Sequence, residues 1–216
     1  MRNAEAIHDL DTDLRTIFGA RLQSLAVYGA TATLEGAVAT LVVVDSLTAT
    51  DLRYCSERLP VWRKRGLATP LILEADEFGR SLDAFPFEFG AMLADHELVS
   101  GSDPFDGLSI APADLRRACE VQARSHLLHL REGLLETEGR NDRLAELVAR
   151  SAAALAALLK NVGRMAHAPA ADAVLVRVAE LAPNGTISSD EARRIFDTYL
   201  TAVDTLVDEL DRWSPA

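Results

Sequence analysis

Two periodicities divide the chain. Over the first 110 residues, short apolar runs alternate with amphipathic stretches. Leu25-Ala26-Val27-Tyr28 ends at Gly29, and Leu41-Val42-Val43-Val44 is set between polar residues. Leu71-Ile72-Leu73 follows Pro70 and ends at Glu74, and Glu97-Leu98-Val99 ends at Ser100-Gly101. Runs this short, bounded by turn or polar residues and in part β-branched, predict buried strands. Between them, residues 51–66 carry Leu52, Cys55, Leu59 and Trp62 at helical spacing, with basic residues opposite. Nearer the start, Ile7, Leu10, Leu14 and Ile17 form the inner stripe of a first helix, leaving Asp9, Asp11 and Asp13 as its wet face. Strand–helix–strand alternation predicts an α/β (α+β) domain with a mixed sheet over residues 1–110.

After Ile110 the period becomes helical. Residues 113–138 place Leu115, Ala118, Val121, Leu127, Leu130 and Leu134 at steps of three and four with one longer gap. Asn141 and Asp142 offer a cap for a second helix over 143–166, whose Ala-rich stretch 152–157 predicts close helix packing. A short third helix over 171–181 precedes the Pro183-Asn184-Gly185 turn. Ser188 and Glu191 have capping-box spacing, opening a last helix with Ile195, Tyr199, Val203, Leu206 and Leu210 on one stripe. Residues 111–216 therefore read as an all-α helical bundle of about four helices. The connecting segment 100–110 is turn-rich but holds Phe105, Leu108 and Ile110, which predicts a packed connector.

Composition narrows the classes. The 216 residues are 49% hydrophobic and 25% charged, enough apolar surface to offset chain entropy, so wholesale disorder is excluded. The net charge of −11 argues against broad nucleic-acid coating, which needs a dense Lys/Arg face. Cys55 and Cys119 make no metal-binding spacing and are expected to be reduced, buried thiols. The N-terminal residues lack an apolar signal core and no apolar run approaches a membrane span, so a cytoplasmic location is expected.

Several stretches in order carry a resemblance. Leu25-Ala26-Val27-Tyr28-Gly29-Ala30 followed by the strand at Leu41-Val42-Val43-Val44 resembles the opening of the nucleotidyltransferase fold. Val61-Trp62-Arg63-Lys64-Arg65-Gly66, Thr69-Pro70-Leu71-Ile72-Leu73, Phe85-Pro86-Phe87-Glu88-Phe89, residues 101–108 and Asp114-Leu115-Arg116 resemble a bacterial group of nucleotidyltransferase-like proteins. The resemblance covers most of residues 20–160 and implies a small α/β catalytic domain followed by a helical domain.

That resemblance also implies a chemistry. A glycine turn after the first strand lets backbone amides approach a triphosphate. Two aspartates, one residue apart at the start of the next strand, share a face and hold divalent cations that bridge phosphates and nucleophile. In this chain Gly29 is followed by Ala30 and Thr31, and the aspartate positions fall on Val38 and Thr40. Valine has no ligand atom, and a hydroxyl is a poor substitute for a carboxylate on a hard cation. The expectation is a pseudoenzyme, with no cofactor, that binds a nucleotide or a protein partner. Candidate ligand-binding positions are Gly29, Ala30, Thr31, Asp45 and Glu74. The alternatives are an active Mg²⁺-dependent transferase using Asp45 and Glu74 as relocated carboxylates, or a structural homo-oligomer built through the helical half. Asp45 lies roughly 16 Å along an extended strand from Thr40, at about 3.3 Å per residue.

Other constellations read as ordinary surface. Arg124 and His129 have the spacing of some helical ribonuclease toxins, and His126, His129 and Glu132 form a stripe at metal-ligand spacing. A solvated helix face is the simpler account of both. Arg63-Lys64-Arg65 and Arg116-Arg117 lack interleaved aromatics and are expected to pair with local acids.

Overall fold

The computed structural model describes residues 4–29, 37–182 and 184–214. The chain divides into two compact units, Met1–Ile110 and Ala111–Ala216.

In the first unit, helix α1 (Ala4–Phe18) and a 3-10 turn lead into β1 (Leu22–Tyr28). Strand β2 (Ala39–Val44), helix α2 (Ala49–Lys64) and strand β3 (Leu71–Glu74) follow, then α3 (Ala75–Ala84), α4 (Pro86–Ala94) and β4 (His96–Gly101). The sheet order is β3-β2-β1-β4. β1 runs antiparallel to both neighbours, and β2 pairs parallel with β3. The sheet is mixed, and β2, β3 and β4 share one direction, so their carboxyl ends lie on one side.

Strand alternation gives the sheet two apolar faces. Leu25, Val42 and Val44 pack with Leu10 and Leu14 of α1 and Cys55 and Trp62 of α2. Leu41 and Val43 pack on the other side with Phe78, Leu82, Phe89, Met92 and Phe105. Trp62, 2% exposed, keeps its indole N–H satisfied by donating to Asp13 Oδ2 at 2.9 Å. Helix α2 differs from its expected stripe at one position. Leu52 is 47% exposed, and the neighbouring Asp51 is buried instead. Asp51 accepts from the Thr48 amide at 2.9 Å, while Thr48 Oγ1 accepts from the Asp51 amide at 3.2 Å, closing a capping box. Arg21 donates to both Asp51 oxygens at 2.8 and 2.9 Å, and this pairing holds the carboxyl far below the usual carboxylate range.

After β4 the chain folds back. Gly101 has φ +85°, and a Cβ there would stand 1.9 Å from the Gln23 carbonyl oxygen of β1. The connector beyond it packs through Phe105, 4% exposed against Phe78 and Phe89, and through Ile110, whereas Leu108, expected to pack as well, is 38% exposed.

The second unit is all helical: α5 (Pro112–Glu136), α6 (Asn141–Val162), α7 (Ala173–Ala179) and α8 (Ser189–Arg212). Ser188 caps α8 by accepting from the Glu191 amide at 3.2 Å, and the Glu191 carboxylate pairs with Arg177. Two expectations about the bundle are corrected. Val121 faces solvent, because Cys119, Ala123 and His126 take the inner positions around it. Within 152–157, Ala152 and Leu155 are buried and most of the alanines are not. The close approach of α5 and α6 comes from Gly133, where a Cβ would sit 2.4 Å from Leu147 Cδ1. A mixed sheet ahead of an all-helical unit is the layout that the sequence resemblance implies.

Candidate functional site

The turn after β1 and the start of β2 are where a nucleotidyltransferase-like site would be built. Gly29 has φ +63°, a left-handed conformation that glycine adopts without Cβ strain. Its N–H donates to the Asp95 carbonyl at 2.9 Å, so this amide is engaged in joining the β1 and β4 ends. Ala30 and Thr31 lie outside the described residues.

Val38 forms an isolated parallel bridge with Leu67 and packs against the α1–α2 core. Thr40 pairs with Val27 and has the same parity on β2 as Val42 and Val44. Its exposure is 0%, and its hydroxyl has no hydrogen-bond partner. The two positions that would carry metal-binding aspartates thus lie on a face filled by apolar side chains. They do not fit a divalent cation: Val38 supplies no ligand atom and the Thr40 hydroxyl is shut away from water. Among the described residues, no group of three or more His, Cys, Asp or Glu side chains converges to hold a metal.

Asp45 and Glu74 occupy the other end of the sheet. Val44 is in register with Glu74, and Leu22 of β1 with Val44, whereas Gly29 follows Tyr28, which is paired with Ala39. The length of β2 therefore separates these carboxylates from the Gly29 turn. Glu74 Oε1 accepts from the Leu47 amide at 2.8 Å, and the Glu74 amide donates to Glu77 Oε2 at 3.4 Å. The Gln23 side chain reaches Asp45 Oδ1 at 3.5 Å. Glu74 is thereby engaged in closing the loop after β2 and opening α3.

The helical constellations are also placed. Arg124 pairs with Glu120, and Arg116 with Glu120 and the Leu210 carbonyl. His129 is exposed beside Glu132, while His126 is buried, so the stripe does not assemble. His126 Nε2 lies 2.6 Å from Tyr199 Oη, which lies 2.9 Å from Ser151 Oγ. Burial pushes the His126 imidazole down to about 4, with the His129 charge adding to it. Cys55 and Cys119 are free and buried, and burial raises both thiols.

Two further pairs went unread in the sequence. Arg21 and Asp51 are 30 positions apart. His96 and Asp103 are closer, but their contact needs the fold-back after β4. His96 Nε2 lies 3.2 and 3.3 Å from the Asp103 oxygens, and the ring lies tilted by 46° against Phe105 at 4.5 Å between centroids. The Phe105 amide donates to Asp103 Oδ1 at 2.9 Å, and this bond, helped by His96, lowers the Asp103 carboxyl.

No helix among the described residues is long and apolar enough to cross a membrane. No family model matches the chain, and no curated protein matches it. Among solved structures, it is similar to a spectinomycin adenyltransferase from Enterococcus faecialis, crystallised with ATP and spectinomycin. The two share 13% identity with a TM-score of 0.47, over 96% of this chain and 99% of that one. A likeness of that size assigns neither activity nor ligand to this chain.

Proposed function

We propose that this chain is a nucleotidyltransferase-like protein whose metal site has been lost, and that it works without catalysis as a cytoplasmic nucleotide- or partner-binding protein. The observation that carries this reading is Thr40, fully buried on the core face of β2, where the sequence resemblance would place the second metal-binding aspartate. Val38 beside it packs against the same core. A relocated metal site finds less support, because Asp45 and Glu74 sit at the far end of the strand and Glu74 is engaged with the Leu47 amide.

The test titrates the chain with Mn²⁺ and ATP, following free Mn²⁺ by electron paramagnetic resonance and nucleotide turnover by chromatography. The reading expects nucleotide binding, if any, to be independent of the cation, and no turnover. Metal-dependent release of pyrophosphate would overturn it.

Self-association is a second reading, favoured by one surface. Val121, Leu128 and Leu135 are 60%, 56% and 80% exposed and recur every seven residues along one face of α5. Light scattering across a concentration series decides it, and a strict monomer removes it.

A further inference from the structure

The fold-back after β4 shelters a cavity of about 450 Å³ that none of the sequence motifs includes. It lies over the sheet between α3 and the returning segment 102–108. Phe78, Pro104 and Leu108 supply an apolar wall, Gln23, Ser24, Ser102 and Asp103 the polar edge, and Gly79 an opening with no side chain in it. The volume falls in the range of small-molecule sites, and the place fits the rule that open α/β sheets bind ligands near the carboxyl ends of parallel strands. It is built from residues other than Gly29, Val38 and Thr40, so it stands apart from the site treated above.

The formal charge of this lining has one sign, since Gln23, Ser24 and Ser102 are neutral and Asp103 is its one ionisable side chain. Asp103 is a carboxylate held in place by the Phe105 amide and the His96 ring, and it can only accept. Ser24 is 2% exposed and already donates its hydrogen to the Ser102 carbonyl, so only its lone pairs remain. No lysine, arginine or histidine lines the cavity. The ligand that complements this charge carries a positive group on a body with an apolar face. An anion such as a nucleoside triphosphate would meet a carboxylate and no cation. We infer that this cavity binds a small organic amine, with its ammonium on Asp103 and its apolar body against Phe78 and Leu108.

The full chain is titrated by calorimetry with tryptamine, and separately with indole-3-propionate, an anion of similar shape. Two variants accompany it. Asp103→Asn keeps an acceptor for the Phe105 amide and removes the charge. Gly79→Leu fills the opening; a Cβ at Gly79 meets nothing within 4 Å, and leucine favours the helix over glycine. Tryptamine is expected to bind at least tenfold more tightly than indole-3-propionate. Asp103→Asn should weaken it tenfold or more, and Gly79→Leu should abolish it without lowering the melting temperature. Absence of tryptamine binding to the unaltered chain overturns the inference. Equal binding of the anion, or binding that survives in Gly79→Leu, does the same.

Discussion

Among the described residues, each unit has a polar side chain at 0% exposure, Thr40 in one and Tyr199 in the other, and the two are treated in opposite ways. In the helical unit, Tyr199 is 0% exposed and its hydroxyl meets both His126 and Ser151. Ser151 also donates to the Val148 carbonyl at 2.8 Å. With that hydrogen committed, the arrangement that satisfies every group runs from His126 N–H to Tyr199 to Ser151. In the α/β unit, Thr40 is equally buried and its hydroxyl has no partner. A satisfied buried network fixes how helices meet, whereas an orphaned hydroxyl costs about 1–3 kcal/mol and stabilises nothing. Thr40 is therefore not explained by the fold's own needs. Under the function proposed above, its place on β2 is that of a neutral residue substituting for a carboxylate.

The sharpest way to break this contrast is Thr40→Asp. A carboxyl forced into the α1–α2 core should lower the unfolding free energy by about 3 kcal/mol or more, read by urea titration. A variant that stays within about 1 kcal/mol and acquires Mn²⁺ binding would show that the site is merely unoccupied by its acids. The next effect belongs to His126. Its folded value near 4 lies below its ordinary 6.5, so the unfolded chain takes up the proton first as pH falls. Stability should be unaffected above about pH 6.5 and should drop by up to about 3 kcal/mol between there and pH 4. Comparing His126→Gln with the unaltered chain over that window isolates this slope from the carboxylates. Tyr199→Phe should cost about 1–2 kcal/mol, because it strands the His126 N–H, and the loss should be visible as a lower urea midpoint at pH 7. Smallest of the four, Thr40→Val should stabilise by about 0.5–1 kcal/mol, since it removes the orphan while keeping the shape. If Thr40→Val destabilises instead, the hydroxyl has a partner in solution and the contrast fails.

Much of the architecture was legible because it rests on local period. The β-branched run Leu41-Val42-Val43-Val44 became β2, and the helical stripes of α1 and α8 became packed faces. Helix α2 runs through Pro60, as the stripe across 51–66 predicts. Helices α3 and α4 were not read as helices. They are short, and Gly79 and Pro86 interrupt a pattern in which Phe78, Leu82, Phe89 and Met92 do the packing. Inner and outer positions failed where small or polar residues took the core side, as Asp51 did beside Leu52 and Cys119 beside Val121. The candidate positions Gly29, Val38, Thr40, Asp45 and Glu74 were readable as positions, but their surroundings were not. Which face of β2 holds Thr40 depends on strand register, and what the Glu74 carboxylate grips depends on Leu47, 27 positions away. Asp103 was invisible for the same reason: nothing in its local sequence announces His96 across a reversal of the chain.

That reversal depends on Gly101. The edge strand approaches its neighbour there until hydrogen is the largest substituent the α-carbon can carry. A single methyl would pry β4 from β1, leaving a three-stranded remnant and casting loose Asp103 and Phe105, which hang from the same hinge. Saturating this codon and selecting for folded chains should return one amino acid.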